Sequence, residues 1–512
     1  MSGSPHLIDR IAGHVVRNPE AVAITAGKMN VLYRQLWGRV LELTGELLEL
    51  GLVQGDRVAI LSENSPDYIA AYCSILNAGG VVVPLNSQTR SRDLQAWIKH
   101  SDSRLLMADK DHPETSNVKA GITGLGVVEL DKVHDYSGYE SSYPTELTSR
   151  RGSEELAAIL YTSGTTGTPK GIMLSHGNLA KNTIAIIEYL EIGENDSVLN
   201  VLPFFYSYGN SVLQTHLWAG GRIVIENKAA FPARVWEGLA REQVSGLAGV
   251  PATFALLLSR VNPKDYDLHA LRYVTQAGGA MSKALTQRLR SALPASSRIF
   301  VMYGQTEATA RLTYLPPERL TDKMGSVGLP LSGVSLEIRD SDGLRVAGEQ
   351  TGEIWVRGPN VMMGYWKDPK ATQNQLIDGW LKTGDLGYLD DEGFLFIVGR
   401  SSDMIKTGAH RVSPLDIEEV LVELDGIEEA AVVGVEDPLL GQAIKACVVR
   451  SRDSSISAKA VLAHCRSQLA LYKVPREVEF LDSLPKTSSG KVQRHLLNQP
   501  QSRGTEATDL PR

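Results

Sequence analysis

The residues best suited to chemistry lie close together at 161–171, which reads Y-T-S-G-T-T-G-T-P-K-G. Hydroxyls at Thr162, Ser163, Thr165 and Thr166 and glycines at Gly164, Gly167 and Gly171 surround a lysine, Lys170. Glycine lets the backbone approach a ligand closely and take up positive φ. Hydroxyls, backbone amides and a lysine are what polyphosphate oxygens require. The string is not a Walker A loop, because Pro169 precedes the lysine and Gly171 follows it. A flexible surface loop would have polar flanks. Here the flanks 156–160 and 172–174 are apolar and short enough to be buried strands, so the loop joins two strands. Ser175 is placed to cap a following helix.

Further strings carry polar residues at strand ends and turns. Residues 300–307, F-V-M-Y-G-Q-T-E, run from a strand into a turn bearing Glu307. Residues 277–280 (A-G-G-A) follow a strand, 382–386 (K-T-G-D-L) place Asp385 in a turn, and 485–491 (P-K-T-S-S-G-K) form a basic loop near the C-terminus. Each alone has an ordinary structural reading: a solvated acid, a tight turn, a turn aspartate, a surface loop. Together, with G-D-R-V-A-I-L-S-E-N at 55–64 and L-N-A-G-G-V-V-V-P-L-N at 76–86, they resemble the adenylate-forming superfamily. That superfamily holds acyl- and aryl-CoA synthetases, nonribosomal adenylation domains and firefly luciferase.

The resemblance implies an AMP-dependent acyl ligase using ATP and Mg²⁺. It gives Thr162, Ser163, Gly164, Thr165, Thr166, Gly167 and Lys170 to the β- and γ-phosphates. Tyr303 and Gly304 go beside adenine, with Gly278, Gly279 and Ala280, which also floor the acyl pocket. Thr306 goes to phosphate, Glu307 to Mg²⁺, and Asp385 and Arg400 to the ribose. Lys491, rather than Lys486, becomes the catalytic lysine. The physical logic is coherent: a carboxylate must meet the α-phosphate, so two anions must be neutralised and held in line.

In this superfamily a small domain then rotates and presents another face for the second half-reaction, which the resemblance assigns to Lys406, Gly408 and Ala409. The hinge falls at 399–402. Ser402 stands where relatives usually carry Asp or Lys, with Asp403 beside it. The run 203–210 corresponds to the aromatic gate of the acyl pocket, giving Tyr206, Gln305 and Gly278 to the acid. No Asp or Glu occurs between Asp196 and Glu226, and a buried unpaired ammonium is costly. That disfavours an α-amino acid and leaves an apolar or aromatic carboxylic acid.

The acceptor stays open. Ala409 stands where a second glycine is usual, and no compact Arg/Lys cluster marks a CoA nucleotide site. CoA and the phosphopantetheine of an acyl carrier protein are both compatible, and the alternative is an amide-forming ligase of the coronafacate-ligase kind. A luciferase-like oxygenase has no positive support.

The elements that must position these residues alternate. Strand 58–61, a helix capped by Ser65 with Pro66 first and ending at Gly79-Gly80, and strand 81–83 form a β-α-β unit. An amphipathic helix with Leu7, Ile11 and Val15 follows Pro5. Helices at 177–188, 209–218, 232–241, 251–259 and 282–293 alternate with strands at 198–202, 222–225, 272–276 and 298–302. Short strands with turns at 321–398 suggest a β subdomain. Helix 414–423, strands 429–435 and 443–449 and helix 457–468 make a small α+β unit.

The expected fold is therefore α/β: a large N-terminal domain of layered sheets and helices with a β subdomain (1–398), a hinge (399–402), a small mobile α+β domain (403–498) and a disordered tail (499–512). A length of 512 residues allows about three domains. A net charge of −7 argues against a general nucleic-acid binder. The separated Cys73, Cys447 and Cys465 fit a reduced cytoplasmic protein without a zinc site. No apolar run reaches the ~18 residues of a membrane span, and no signal peptide is read at the N-terminus.

Overall fold

The computed structural model describes residues 6–130, 136–139, 152–162, 170–408, 410–452, 454–487 and 490–498. Among these, strands form four sheets, and no helix is long and apolar enough to cross a membrane.

A nine-stranded sheet has a parallel centre in the order Arg298–Tyr303, Tyr273–Gln276, Gly246–Gly249, Ser197–Asn200, Arg222–Ile225, Val22–Ala26. A seven-stranded sheet sets Lys170–Ser175 against Leu156–Thr162, which continues into the parallel strands Val81–Pro84, Arg57–Leu61, Ser103–Asp109 and Gly126–Leu130. Parallel strands need crossover helices on their faces. Two of these are buried over almost their whole length: Pro66–Ala78 and Ser207–Ala219. They touch directly, the Gln214 Nε2 amide donating to the Tyr72 hydroxyl at 3.0 Å. The main core therefore runs continuously from one large sheet to the other.

The local signals read from the sequence operate as expected. Ser65 Oγ accepts from the Tyr68 N–H at 3.0 Å, and Gly79 closes that helix at φ +95°. Ser175 Oγ accepts from the Asn178 N–H, and the Asn178 side chain accepts in return from Ser175, a reciprocal cap.

Four local differences stand out. The first helix is Leu7–Arg17, two residues past Pro5, because Asp9 accepts from the His6 N–H and fixes the start there. Lys170 opens the strand Lys170–Ser175, in register with Thr162, instead of lying within a loop. Asp385 lies in the strand Trp380–Leu389, not in a turn; Gly384 at φ +74° absorbs an irregularity that keeps the strand paired. The strand Gly246–Gly249 was not anticipated, because G-L-A-G lacks a strand's usual bulk. Its glycines admit neighbouring rings: a Cβ on Gly246 would lie 2.1 Å from Tyr273, and one on Gly249 2.8 Å from Phe254.

Residues 321–400 contribute a five-stranded antiparallel sheet built on Ser335–Arg339, Gly352–Arg357 and Trp380–Leu389, with Leu395–Arg400 on its side. The last sheet centres on Ile427–Asp437 and Gly441–Arg450 with its own apolar core. The helices Pro414–Val422 and Ala458–Gln468 pack on it. The fold is thus mixed α/β, with a large N-terminal part and a small C-terminal part.

Candidate active site

The strand Arg298–Tyr303 delivers Tyr303 to the sheet end, and the short turn Thr306–Ala308 turns Glu307 outward. Gly304 is required between them, since a Cβ there would lie 2.1 Å from the Ala310 carbonyl oxygen. Thr309 then adopts φ +67°, a costly conformation for a β-branched residue, closed by the Ala310 N–H donating to the Ala308 carbonyl at 2.8 Å. Asn360 holds that turn: its carbonyl accepts from Thr309 Oγ1 at 2.7 Å, and its Nδ2 donates to the Arg311 carbonyl at 2.8 Å.

Asp385 and Arg400 stand directly opposite each other on paired strands, where opposite charges attract. Arg400 Nε donates to Asp385 Oδ1 at 2.9 Å, and the Tyr303 hydroxyl donates to Oδ2 at 2.6 Å. Asp385 is 5% exposed. Burial, then the Asp385 charge, pushes the Tyr303 hydroxyl far above its ordinary range, so it stays a donor. Burial works against the Arg400 charge, but Asp385, Tyr303 and Glu307 outweigh it and hold its pKa above the usual value.

A second chain of contacts reaches the mouth of the glycine-rich loop. The Tyr365 hydroxyl donates to Glu307 Oε1 at 3.1 Å, and Lys170 Nζ sits 4.8 Å over the Tyr365 ring. Thr162 faces Lys170 across the pair of strands. Ser163, Gly164, Thr165, Thr166 and Gly167 lie outside the described residues, as does Ala409. Thr306 Oγ1 lies 3.1 Å from Ser207 Oγ, joining the phosphate candidate to the residue after Tyr206. Tyr206 is the N-cap residue of Ser207–Ala219, its ring 4.4 Å from that of Phe205. Gln305 Nε2 is buried without a hydrogen-bond partner among the described residues.

Lys491 belongs to the small unit, yet its surroundings come from both. Gly490, at φ +80°, lies against the large unit: a Cβ there would be 3.0 Å from Val250 and 3.7 Å from Ala252. Val250 also meets Gly278, which sits at φ +86° with room for a Cβ only 3.1 Å from Val250 Cγ1. One side chain thus separates the 277–280 turn from the lysine loop. Gly279 and Ala280 complete that turn, Gly279 through its carbonyl, which accepts from Gln276 Nε2 at 2.8 Å.

The Lys491 side chain keeps access to solvent while atoms of both units crowd it. That crowding, and then the Arg400 charge, lowers its pKa below the usual lysine value, whereas Asp385 and Asp403 oppose the shift. Lys486 is committed elsewhere, its Nζ donating to Glu429 Oε1 at 2.7 Å within the small unit. Lys406 stands exposed on Ile405–Thr407, its N–H bonded to Gln442. Gly408 takes φ +57° and donates to the Leu440 carbonyl. These two residues are not brought to the Asp385–Arg400 group. Val250, Ser207 and Tyr365 escaped the sequence reading. Ser207 lay within the run 203–210 without being singled out, and Val250 had a signal in the Val-Pro pair opening the helix Pro251–Arg260.

This fold and this set of residues define a nucleotide-binding ligase scaffold, and the chain belongs to the AMP-binding enzyme family. The model of that family matches residues 11–366, and that of the AMP-binding enzyme C-terminal domain matches 416–491. The chain is 34% identical over 477 residues to a feruloyl-CoA synthase of Amycolatopsis sp, spanning 93% of this chain and 95% of that one. Among solved structures it is similar to ATP-bound MatB from Rhodopseudomonas palustris, with TM-score 0.86 and 30% identity over 96% of this chain and 98% of that one. It is also similar to the amide bond synthetase McbA from Marinactinospora thermotolerans, with TM-score 0.86 and 28% identity over 96% and 99%.

Proposed function

We propose that the protein is an ATP-dependent carboxylate ligase that forms an acyl-adenylate with release of pyrophosphate and then passes the acyl group to a thiol. The observation that carries this reading is the convergence of Lys491, from the small unit, on Asp385, Arg400 and Tyr303 of the large one. A carboxylate approaching the α-phosphate needs a cation between the two anions, and Lys491 is placed to supply it. Asp385 has further lone pairs for a ribose hydroxyl, and Thr306 and Lys170 are the residues we assign to the phosphates.

Glu307 is the residue to hold Mg²⁺: Tyr365 engages one carboxylate oxygen and leaves the other for an ion. Among the described residues no group of three or more His, Cys, Asp or Glu could hold an ion unaided, so substrate phosphates would complete the shell, as magnesium prefers. When bound, the ion supplies neutralisation of phosphate charge.

The division into 1–398, a hinge at 399–402 and 403–498 belongs to the same proposal, with Lys406 and Gly408 serving the second step. The thiol is that of CoA, supported by the feruloyl-CoA synthase relative; an acyl carrier protein would present the same phosphopantetheine. The likeness to an amide bond synthetase keeps transfer to an amine as a second reading. Acid-dependent pyrophosphate release should be measured across a library of carboxylic acids, with CoA, a carrier protein or amines as acceptor. The expected product is a CoA thioester. Pyrophosphate release that yields only amides would replace the acceptor, and none with any acid would remove the reading.

A further inference from the structure

A charged side chain outside the Lys491 cluster has no counter-ion among the described residues. Arg311 follows the turn that carries Glu307 and is 3% exposed. Its Nε donates to the Met302 thioether at 3.4 Å, its Nη1 donates to the Ala310 carbonyl at 3.2 Å, and its guanidinium lies 4.0 Å over the Tyr208 ring. Among the described residues it forms no ion pair with a carboxylate. Arg39, buried to a similar degree, pairs with both Asp67 and Glu42, and Arg494 forks onto Glu418. A buried cation whose neighbours are a thioether, a carbonyl, a ring and the Tyr189 and Tyr208 hydroxyls has polar company but no opposite charge among the described residues.

Arg311 borders a small cavity with Tyr208, Ser211, Thr215, Thr275 and Met302, with room for roughly one or two water-sized groups. The cavity lies behind the candidate acyl site. Its helix, Ser207–Ala219, begins at Tyr206; Thr275 is two residues before Ala277 and Gly278; Met302 adjoins Tyr303. Hydroxyls share its wall with apolar side chains such as Ile186, Leu190 and Val212, and burial lowers the pKa of His216 on the same wall, so it adds a hydrogen-bonding group and no second charge. Met302, unbranched and adaptable, also accepts from the Tyr189 hydroxyl at 2.8 Å and can yield space.

We propose that Arg311 forms the far end of the acyl site and pairs with a distal carboxylate, so that the acid activated is a dicarboxylic acid. One carboxylate meets Lys491 and Thr306 for activation, and the other meets Arg311. This rests on the ligase reading above and replaces the apolar or aromatic acid expected from sequence with one whose far end is charged.

The test pairs α,ω-dicarboxylic acids of about four to eight carbons with monocarboxylic acids of matched length. Pyrophosphate release is measured for the wild type, Arg311→Gln and Arg311→Lys. The wild type should favour diacids in kcat/KM on the order of 100-fold. Arg311→Gln should collapse that ratio to near unity, and Arg311→Lys should restore part of it. A wild type without preference, or an Arg311→Gln variant that lowers both acids equally, overturns the proposal.

Calorimetric binding of the same acids to the wild-type protein needs neither a variant nor turnover. If no acid supports pyrophosphate release, the ligase reading fails. Tighter binding of diacids than of monoacids would still support the subsite, and equal or absent binding would overturn it.

Discussion

At Lys491 two opposing influences meet. Crowding and Arg400 disfavour its charge, while Asp385 and Asp403 favour it. The net effect lowers its pKa, and on the function proposed above this is the lysine that bridges the two anions. Lys486, five residues earlier, is neutralised by Glu429, so the choice between two lysines of one loop is made by their partners.

His216 shows the same physics applied to stability. It is 2% exposed, its Nε2 is 2.7 Å from the Tyr273 hydroxyl, and burial lowers its pKa to about 4. The unfolded chain binds this proton below the ordinary value of 6.5, whereas the folded chain resists it. Stability is therefore complete above pH 6.5 and declines as pH falls toward about 4, by on the order of 3 kcal/mol. Urea unfolding across that window should show the decline, and His216→Gln should flatten it. An unchanged slope in the variant would exclude His216 as its source.

Among the elements, Gly490 and Gly278 matter because both press on Val250. A methyl on Gly490 would lie 3.0 Å from Val250 in a backbone that already takes φ +80°. Gly490→Ala should therefore slow acyl-AMP formation by roughly 10-fold or more. Thioester formation from supplied acyl-AMP, read in a separate assay, should keep near wild-type rate, and equal loss in both steps would show general damage instead.

The helices and parallel strands were legible because their period and caps are local, as at Ser65, Gly79 and Ser175. Gly246–Gly249 was not, since its reason is partly the ring of Tyr273, distant in sequence, which packs where a side chain on Gly246 would lie. Asp385 was read as a turn residue because K-T-G-D carries a turn's composition, and only pairing with Arg400 reveals the strand. Arg311 carried no local signal at all; its lack of a counter-charge exists only after folding.

In the whole molecule, several described contacts join the small C-terminal unit to the large one, among them Ser413 Oγ donating to the Val398 carbonyl. Gly490 touches Val250 and Ala252, Lys491 enters the field of Asp385 and Arg400, and Lys283 lies 3.7 Å from Glu419 across the gap. That last pair is exposed and contributes at most about 1 kcal/mol, so it does not lock the arrangement. Lys406 meanwhile faces solvent on the small unit. On the function proposed above, Lys491 serves activation in this arrangement, and a turn about 399–402 would bring Lys406 inward for transfer.

Single-turnover kinetics with the two half-reactions separated test this most directly. Lys491→Ala should reduce acyl-AMP formation by about 100-fold or more while leaving transfer from supplied acyl-AMP near normal. Lys406→Ala should form acyl-AMP at the wild-type rate and slow its transfer to the thiol. Acyl-AMP formation at the wild-type rate by Lys491→Ala would contradict the account.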